Sequence, residues 1–141
     1  MAESTRTAGT VRCVIVTPEA TVLDMPARFV SLPLFDGQRG VGRGHAPFIG
    51  RLGAGEVRIT AESGGDARGT FVEGGFVEVG HDAVTVITQR AVPADKLDAA
   101  AARAELETLS RTKAVGDEAI AARLAAQEAA RAVVRTAGRS R

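Results

Sequence analysis

The stretch that most constrains this chain is Phe35 to Gly55, FDGQRGVGRGHAPFIGRLGAG, which carries seven glycines and one Gly44-His45-Ala46-Pro47 run. Glycine admits positive φ and close backbone approach, so this density of it specifies tight turns and excludes a helix. Pro47 drives Ala46 into extended geometry. Short apolar pieces, Val41, Phe48-Ile49 and Leu52, alternate with the turns. The spacing predicts a turn, a short strand, a tight His-Pro turn, a second short strand and a further turn. Locally, a plain loop joining two strands and an RNA-binding Gly-Arg segment (Gln38-Arg39-Gly40, Gly42-Arg43-Gly44) fit the same residues.

Strand signals flank this stretch. Val11 to Thr17 is rich in β-branched residues, and Pro18-Glu19 marks a turn. Ala27 to Leu34 places Phe29 and Ser31 on one face and Arg28, Val30 and Leu32 on the other, with Pro33 marking an edge or bulge. Gly55 to Glu62 alternates Val57, Ile59 and Ala61 against Glu56, Arg58 and Thr60, and Ser63 to Asp66 reads as a hairpin loop. Thr70 to Glu73, Phe76 to Val79 and Ala83 to Thr88 follow, separated by glycine turns. The fold class is therefore α+β: an antiparallel β-sandwich of about eight to ten short strands over residues 11–92, followed by a helical hairpin. Residues 1–10 read as a flexible N-terminus. All five phenylalanines precede residue 77, and with the β-branched residues they are expected to fill the sandwich core.

At Pro93 the composition changes to alanine, leucine, glutamate and arginine without aromatics. A two-helix antiparallel hairpin is predicted over residues 93–138, with a disordered tail at 139–141. Ala94 to Thr112 forms the first helix, with Asp95 as cap or first-turn acid; Ala102, Glu105, Leu106 and Leu109 share a face. Asp117 caps the second, which Gly138 stops. That helix has one stripe of Ile120, Leu124, Gln127, Arg131 and Val134 and another of Ala122, Ala125, Ala126, Ala129 and Val133. Alanine buries little area, so the pair packs closely but weakly. Detachment from the sandwich and permanent docking both fit that composition.

Charge and motifs exclude several functions. The 141 residues carry a net charge of +1, and the parts before and after Pro93 hold 9 basic with 10 acidic and 9 basic with 7 acidic residues. Neither part is a polycation, which argues against nucleic acid as a partner. The lone Cys13 permits no internal disulfide and reads as a buried strand residue. No apolar run spans a bilayer, and the N-terminus has no secretory core. No zinc-ligand spacing, phosphate loop or Gly-x-Ser-x-Gly turn is present. No metal, cofactor or catalytic residue is expected; His45 and His81 sit in turns, and the chain reads as a binding or coupling protein.

The order of motifs resembles a family. Asp36-Gly37, Gly40-Val41, Gly42 to Pro47 and the strand entry Leu52-x-x-Gly55-x-Val57-x-Ile59 are similar to the signature of the epsilon subunit of F-type ATP synthases (the delta subunit in mitochondrial naming). Val16-Thr17-Pro18-Glu19, Gly74-Gly75-Phe76-Val77-Glu78-Val79 and Val84-Thr85-Val86-Ile87 extend the resemblance over most of residues 11–92. It implies a non-catalytic central-stalk subunit, peripheral on the cytoplasmic face of the bacterial plasma membrane. The expected partners are the gamma subunit and, through Gln38, Arg39, Arg43 and His45, the c-ring. Arg43 and Gly42 replace the family's usual Leu/Tyr-Pro pair. The hairpin is expected to restrain ATP hydrolysis, with Arg123, Arg131 and Arg135 meeting acidic loops of the catalytic beta subunits. The family's ATP motif, Leu/Ile-Asp-x-x-Arg-Ala, is degenerate here: Leu97 and Asp98 match, but Arg103 comes two residues late, about 200° further round a helix. Weak or absent ATP binding is expected.

Overall fold

The computed structural model describes residues 9–64 and 68–139. The expectations for residues 1–8, for Gly65 and Asp66 of the hairpin loop and for residues 140–141 lie outside the described residues. Strand β1 (Val11–Val16) obeys a two-residue period, burying Val11, Cys13 and Ile15. Strand β2 runs from Thr21 to Leu34, starting six residues before the predicted Ala27. Its first half, with Asp24 and Pro26, has weak strand propensity, and pairing with β1 (Val11↔Ala27 to Val16↔Thr21) supplies what local preference lacks. An irregularity between Ala27 and Phe29 shifts the register against the next layer. Burial accordingly changes parity, from Ala27 to Val30 and Leu32, and Arg28 is exposed. Such a bulge bends a strand, so β2 serves both layers of the sandwich.

The remaining strands are β3 (Gly37–Val41), β4 (Phe48–Arg51), β5 (Ala54–Ala61), β6 (Arg68–Glu73), β7 (Phe76–Val79), β8 (Ala83–Ile87) and β9 (Ala91–Pro93). Their order is β4-β7-β8-β1-β2-β5-β6-β9, with β3 also on β2. The strands pair antiparallel except for β1 and β8, which run parallel; these two are distant in sequence, so no hairpin dictates their direction. Gly75 closes the turn into β7 with φ +104°, and a Cβ there would lie 2.0 Å from the Ile87 carbonyl oxygen. Only glycine fits both conditions.

The core between the layers is aliphatic. Val11 and Ile15 meet Val30 and Leu32, Val57 and Ile59, Val77 and Val79, and Val84 and Val86. The expectation of a phenylalanine-filled core is corrected here: Phe29, Phe35 and Phe76 are 46, 68 and 56% exposed, and Phe48 only packs at the margin. Phe76 falls on the parity opposite to Val77 and Val79, and compact β-branched side chains already fill the space between the layers. Phe71 is fully buried, but in a second cluster with Ala102, Ala132 and Val133. Strand β6 thus feeds two clusters, Val72 into the sandwich core and Phe71 onto the helices.

The predicted first helix divides. A single 3-10 turn, Ala94–Lys96, follows Pro93. Leu97 and Asp98 are extended, and helix α1 spans Ala99–Arg111. Asp98, not Asp95, caps it: its carboxylate accepts a hydrogen bond from Ala101 N at 2.9 Å. A short acidic side chain that bonds the backbone three residues on favours a helix start over a helix interior. Helix α2 spans Asp117–Arg139, so Asp117 is its first residue and Gly138 does not stop it. The Gly116 carbonyl accepts the first helical bond, from Ile120 N at 3.0 Å. Gly138 is absent from the left-handed region a stopping glycine adopts. Helix α2 packs on α1, β5 and β6, and buries Gln127, Ala130, Ala132, Val133, Thr136 and Ala137. Ile120 and Leu124 of the first predicted stripe remain exposed.

Candidate functional site

The β2–β3 hairpin turns at Phe35-Asp36, and Gly37 takes φ +137°. Alternation along β3 then separates the predicted contact residues. Gln38 Nε2 donates to Ser31 Oγ at 2.9 Å and to the Glu56 carbonyl at 3.2 Å. This amide is anchored on β2 and β5, beside a groove of about 230 Å³ whose walls include Glu56, Glu128 and Arg135. Arg39 points the other way, its guanidinium carbon 5.1 Å from the centre of the Phe48 ring, within cation–π range.

The His-Pro turn is held from both sides. Gly44, at φ +82°, donates its N–H to the His81 carbonyl at 2.8 Å. His45 N–H reaches the Gly42 carbonyl at 3.3 Å, and its ring Nδ1 lies 2.8 Å from the Ala46 carbonyl, so Nδ1–H is the donor in that contact. The His45 ring meets Phe48 edge-on at 5.4 Å. Arg43 Nη1 donates to the Thr10 carbonyl at 3.5 Å. Phe48 therefore gathers Arg39 and His45, whereas Gln38 faces the helices and Arg43 reaches the start of β1.

Sequence reasoning missed an apolar row on the outer face of the sheet. Arg51 pairs with Phe76, Phe76 with Ile87 and Ile87 with Val16 across four adjacent strands, and Ile49 shares the face of Arg51. Ile49, Phe76 and Ile87 are 74, 56 and 55% exposed. The guanidinium of Arg51 stacks 4.8 Å from the centre of the Phe35 ring at the end of the row. The available signal was parity: Phe76 and Ile87 occupy the positions opposite to the buried valines of their own strands. Exposed apolar side chains gathered on one sheet face are a candidate surface for another protein.

On the arm, Arg131 and Arg135 are exposed. Arg123 is not free: its Nη1 donates to the Thr112 carbonyl at 2.8 Å. Leu97 packs against the Phe71 cluster, Asp98 is committed to capping α1, and Arg103 is exposed. The Cys13 thiol is pushed up to about 12, chiefly by burial and secondarily by the charge of Asp24, which leaves it unreactive. Among the described residues no cluster of His, Cys, Asp or Glu is arranged to hold a metal ion, and no helix is long and apolar enough to cross a membrane.

Comparison with known proteins follows the same geometry. The family model for the ATP synthase, Delta/Epsilon chain, beta-sandwich domain matches residues 10–94. An ATP synthase epsilon chain of Rhodopirellula baltica is 56% identical over 88 residues, 62% of this chain and 67% of its own. One from a Synechococcus strain is 39% identical over 126 residues, 87% of this chain and 90% of its own, so it spans both sandwich and arm. A chain in the Euglena gracilis mitochondrial ATP synthase (OSCP/F1/c-ring, rotational state 1) superposes with TM-score 0.79 at 20% identity, covering 89% of this chain and 79% of that one. A chain from the Tetrahymena thermophila mitochondrial ATP synthase central stalk and c-ring gives TM-score 0.68 at 12% identity, over 94% and 99% of the two chains. Those structures share the fold, and the sequence matches place the protein: it belongs to the ATP synthase delta/epsilon chain family.

Proposed function

We propose that this chain is the non-catalytic epsilon-type subunit of the central stalk of a rotary F-type ATP synthase. It couples ion-driven rotation of the membrane c-ring to ATP synthesis in the catalytic head. The observation that carries the reading is the 39% identity to an epsilon chain along 126 residues, through both the sandwich and the arm. The fold supports it: neighbouring solved structures come from assemblies described as F1/c-ring and central stalk/c-ring.

The sandwich is the clamp. Its aliphatic core and the parallel β1–β8 pair make one stiff body from nine strands. The outer row of Ile49, Phe76 and Ile87 supplies the apolar area that a permanent partner needs, and fits the gamma subunit. The glycine-rich stretch, with Arg39 and His45 gathered on Phe48 and with Arg43 and Gln38 beside them, faces the polar loops of the c-ring. The protein is then peripheral, on the cytoplasmic face of a bacterial plasma membrane, and reaches the bilayer through the ring alone.

The arm is the regulatory part. Folded on β5 and β6 it leaves rotation free; extended along the stalk it brings Arg123, Arg131 and Arg135 to the catalytic beta subunits and restrains hydrolysis. Truncation after Pro93 keeps β9 on the edge of β6 and removes both helices. In the assembled enzyme this truncation is expected to raise ATP hydrolysis with assembly intact; unchanged hydrolysis refutes the inhibitory role. ATP binding by the arm is weak or absent on this reading, because Asp98 is used as a cap and Arg103 sits two positions beyond the motif's arginine. Titration with millimolar ATP is expected to leave hydrogen exchange in both helices unchanged.

A further inference from the structure

The arm is anchored unevenly along its length. From Gln127 to Ala137, helix α2 lies on the sheet, with six side chains buried. From Asp117 to Ala125 every side chain is exposed except Arg123, and that exposed set includes Ile120 and Leu124. At the facing end of α1, Ser110, Arg111 and Thr112 are exposed, and Leu106 and Leu109 are half-buried. Leu106, Leu109 and, at 40% exposed, Ile120 give this half some apolar cover, but none of its α2 side chains is buried, against six toward the root.

One directed contact crosses that end. Arg123 Nη1 donates to the Thr112 carbonyl at 2.8 Å. Thr112 follows the last residue of α1, where carbonyls have no partner within the helix and the helix dipole is negative. Its backbone is fixed in turn, because both Thr112 N (3.1 Å) and Oγ1 (2.8 Å) donate to the Thr108 carbonyl. The Nε of Arg123 is enclosed and has no hydrogen-bond partner among the described residues. The charged hydrogen bond from Nη1 is the directed contact that joins the outer ends of the two helices.

We infer that Arg123 is a clasp that shuts the outer half of the arm, and that the arm opens first from this end, before the root of α2 leaves the sheet. Opening frees the guanidinium for carboxylates on a neighbouring protein, whereas Arg131 and Arg135 are exposed before and after. That second step rests on the stalk-subunit reading; the clasp does not.

Hydrogen exchange on the isolated full-length chain tests it. Arg123→Met keeps the aliphatic stem and removes the donors. It is expected to speed exchange about tenfold, the effect of losing one charge-assisted bond at a partly solvated site, for amides 106–112 and 120–125. Amides 127–137 and the sandwich should be unchanged, and Arg123→Lys should restore most of the protection. The wild-type chain supplies a check free of any substitution: under mild denaturant, amides 120–125 should open before 127–137. Unchanged exchange in Arg123→Met, acceleration of α2 as one unit to Ala137, failure of lysine to restore protection, or simultaneous opening in the wild type each overturns the clasp. In the assembled enzyme Arg123→Met removes both the clasp and one of the cations the extended arm would present, so the clasp is read from exchange in the isolated chain alone, and truncation after Pro93 tests the regulatory reading separately.

Discussion

Replacing Phe71 with alanine should release the arm without loosening the sandwich. Phe71 is fully buried, and its ring meets Ala102 of α1 and Ala132 and Val133 of α2. Large-to-small changes of this kind cost about 3–5 kcal/mol, from lost transfer energy and the cavity left behind. The alanines of the same cluster cannot compensate: at about 0.8 kcal/mol for each buried methyl, the two of them together contribute less than the ring. The docked population should therefore fall by roughly a hundredfold or more relative to the undocked one. The sandwich should barely respond, because its core takes Val72 from the same strand and nothing from Phe71. Hydrogen exchange by segment reads both effects in one experiment, with Val72→Ala as the opposite control that weakens the sandwich by about 2 kcal/mol. If Phe71→Ala speeds exchange in β1 and β8 by the same factor as in α2, sandwich and arm are one cooperative unit, and the two-cluster account is wrong.

Other consequences concern β1 and its neighbour. Arg12 grips Asp24 through two bonds of 2.9 and 2.6 Å, and holds the Asp24 carboxyl below the usual carboxylate range, chiefly by hydrogen bonding, with charge attraction added. A depressed carboxylate contributes stability above its unfolded value, near 3.9, and loses it as pH falls through the folded one. Urea midpoints of the wild type and Asp24→Asn should therefore differ at pH 7 and converge near pH 2; a constant gap refutes the assignment. Cys13, its thiol pushed up to about 12, should resist a disulfide reagent at pH 8 in the folded chain and react at the ordinary rate in denaturant; rapid labelling of the folded protein would contradict its burial.

What could be read in the sequence depended on how local the cause was. The glycine-rich stretch showed its turns and its two short strands because positive φ and the X-Pro restriction act on single residues. The second strand was read without its first six residues because Asp24 and Pro26 oppose a strand locally, and only the partner β1 overrides them. Asp95 read as the cap because it follows Pro93 closely, but the backbone holds Leu97 and Asp98 extended and gives that role to Asp98. The phenylalanines misled because hydrophobicity alone says nothing of facing: Phe76 and Ile87 alternate out of the core that Val77 and Val86 enter. Gln38 was legible as a polar residue of the contact stretch, but its attachment to the Glu56 carbonyl was not, since that bond needs β3 and β5 on opposite sides of β2.

The same alternation explains why an arm resting on the sandwich need not be part of it. Glu56 pairs with Phe71 across β5 and β6, so both lie on the face that receives α2. The Glu56 side chain is only 2% exposed, and its carboxylate takes a 3.0 Å contact from Arg58. Gly69 makes room for it: a Cβ at that position would stand 1.9 Å from Glu56 Oε2. The seat of the arm is therefore one aromatic ring beside a covered ion pair. When α2 leaves, the ring loses its cover at a cost, but the Glu56 carboxylate, which lines the groove beside α2, regains water and recovers part of its desolvation. Separating the two layers of the sandwich would return no such hydration, since only aliphatic groups meet there. Undocking is thus far cheaper than unfolding, and the helices can leave the sandwich without disturbing its core.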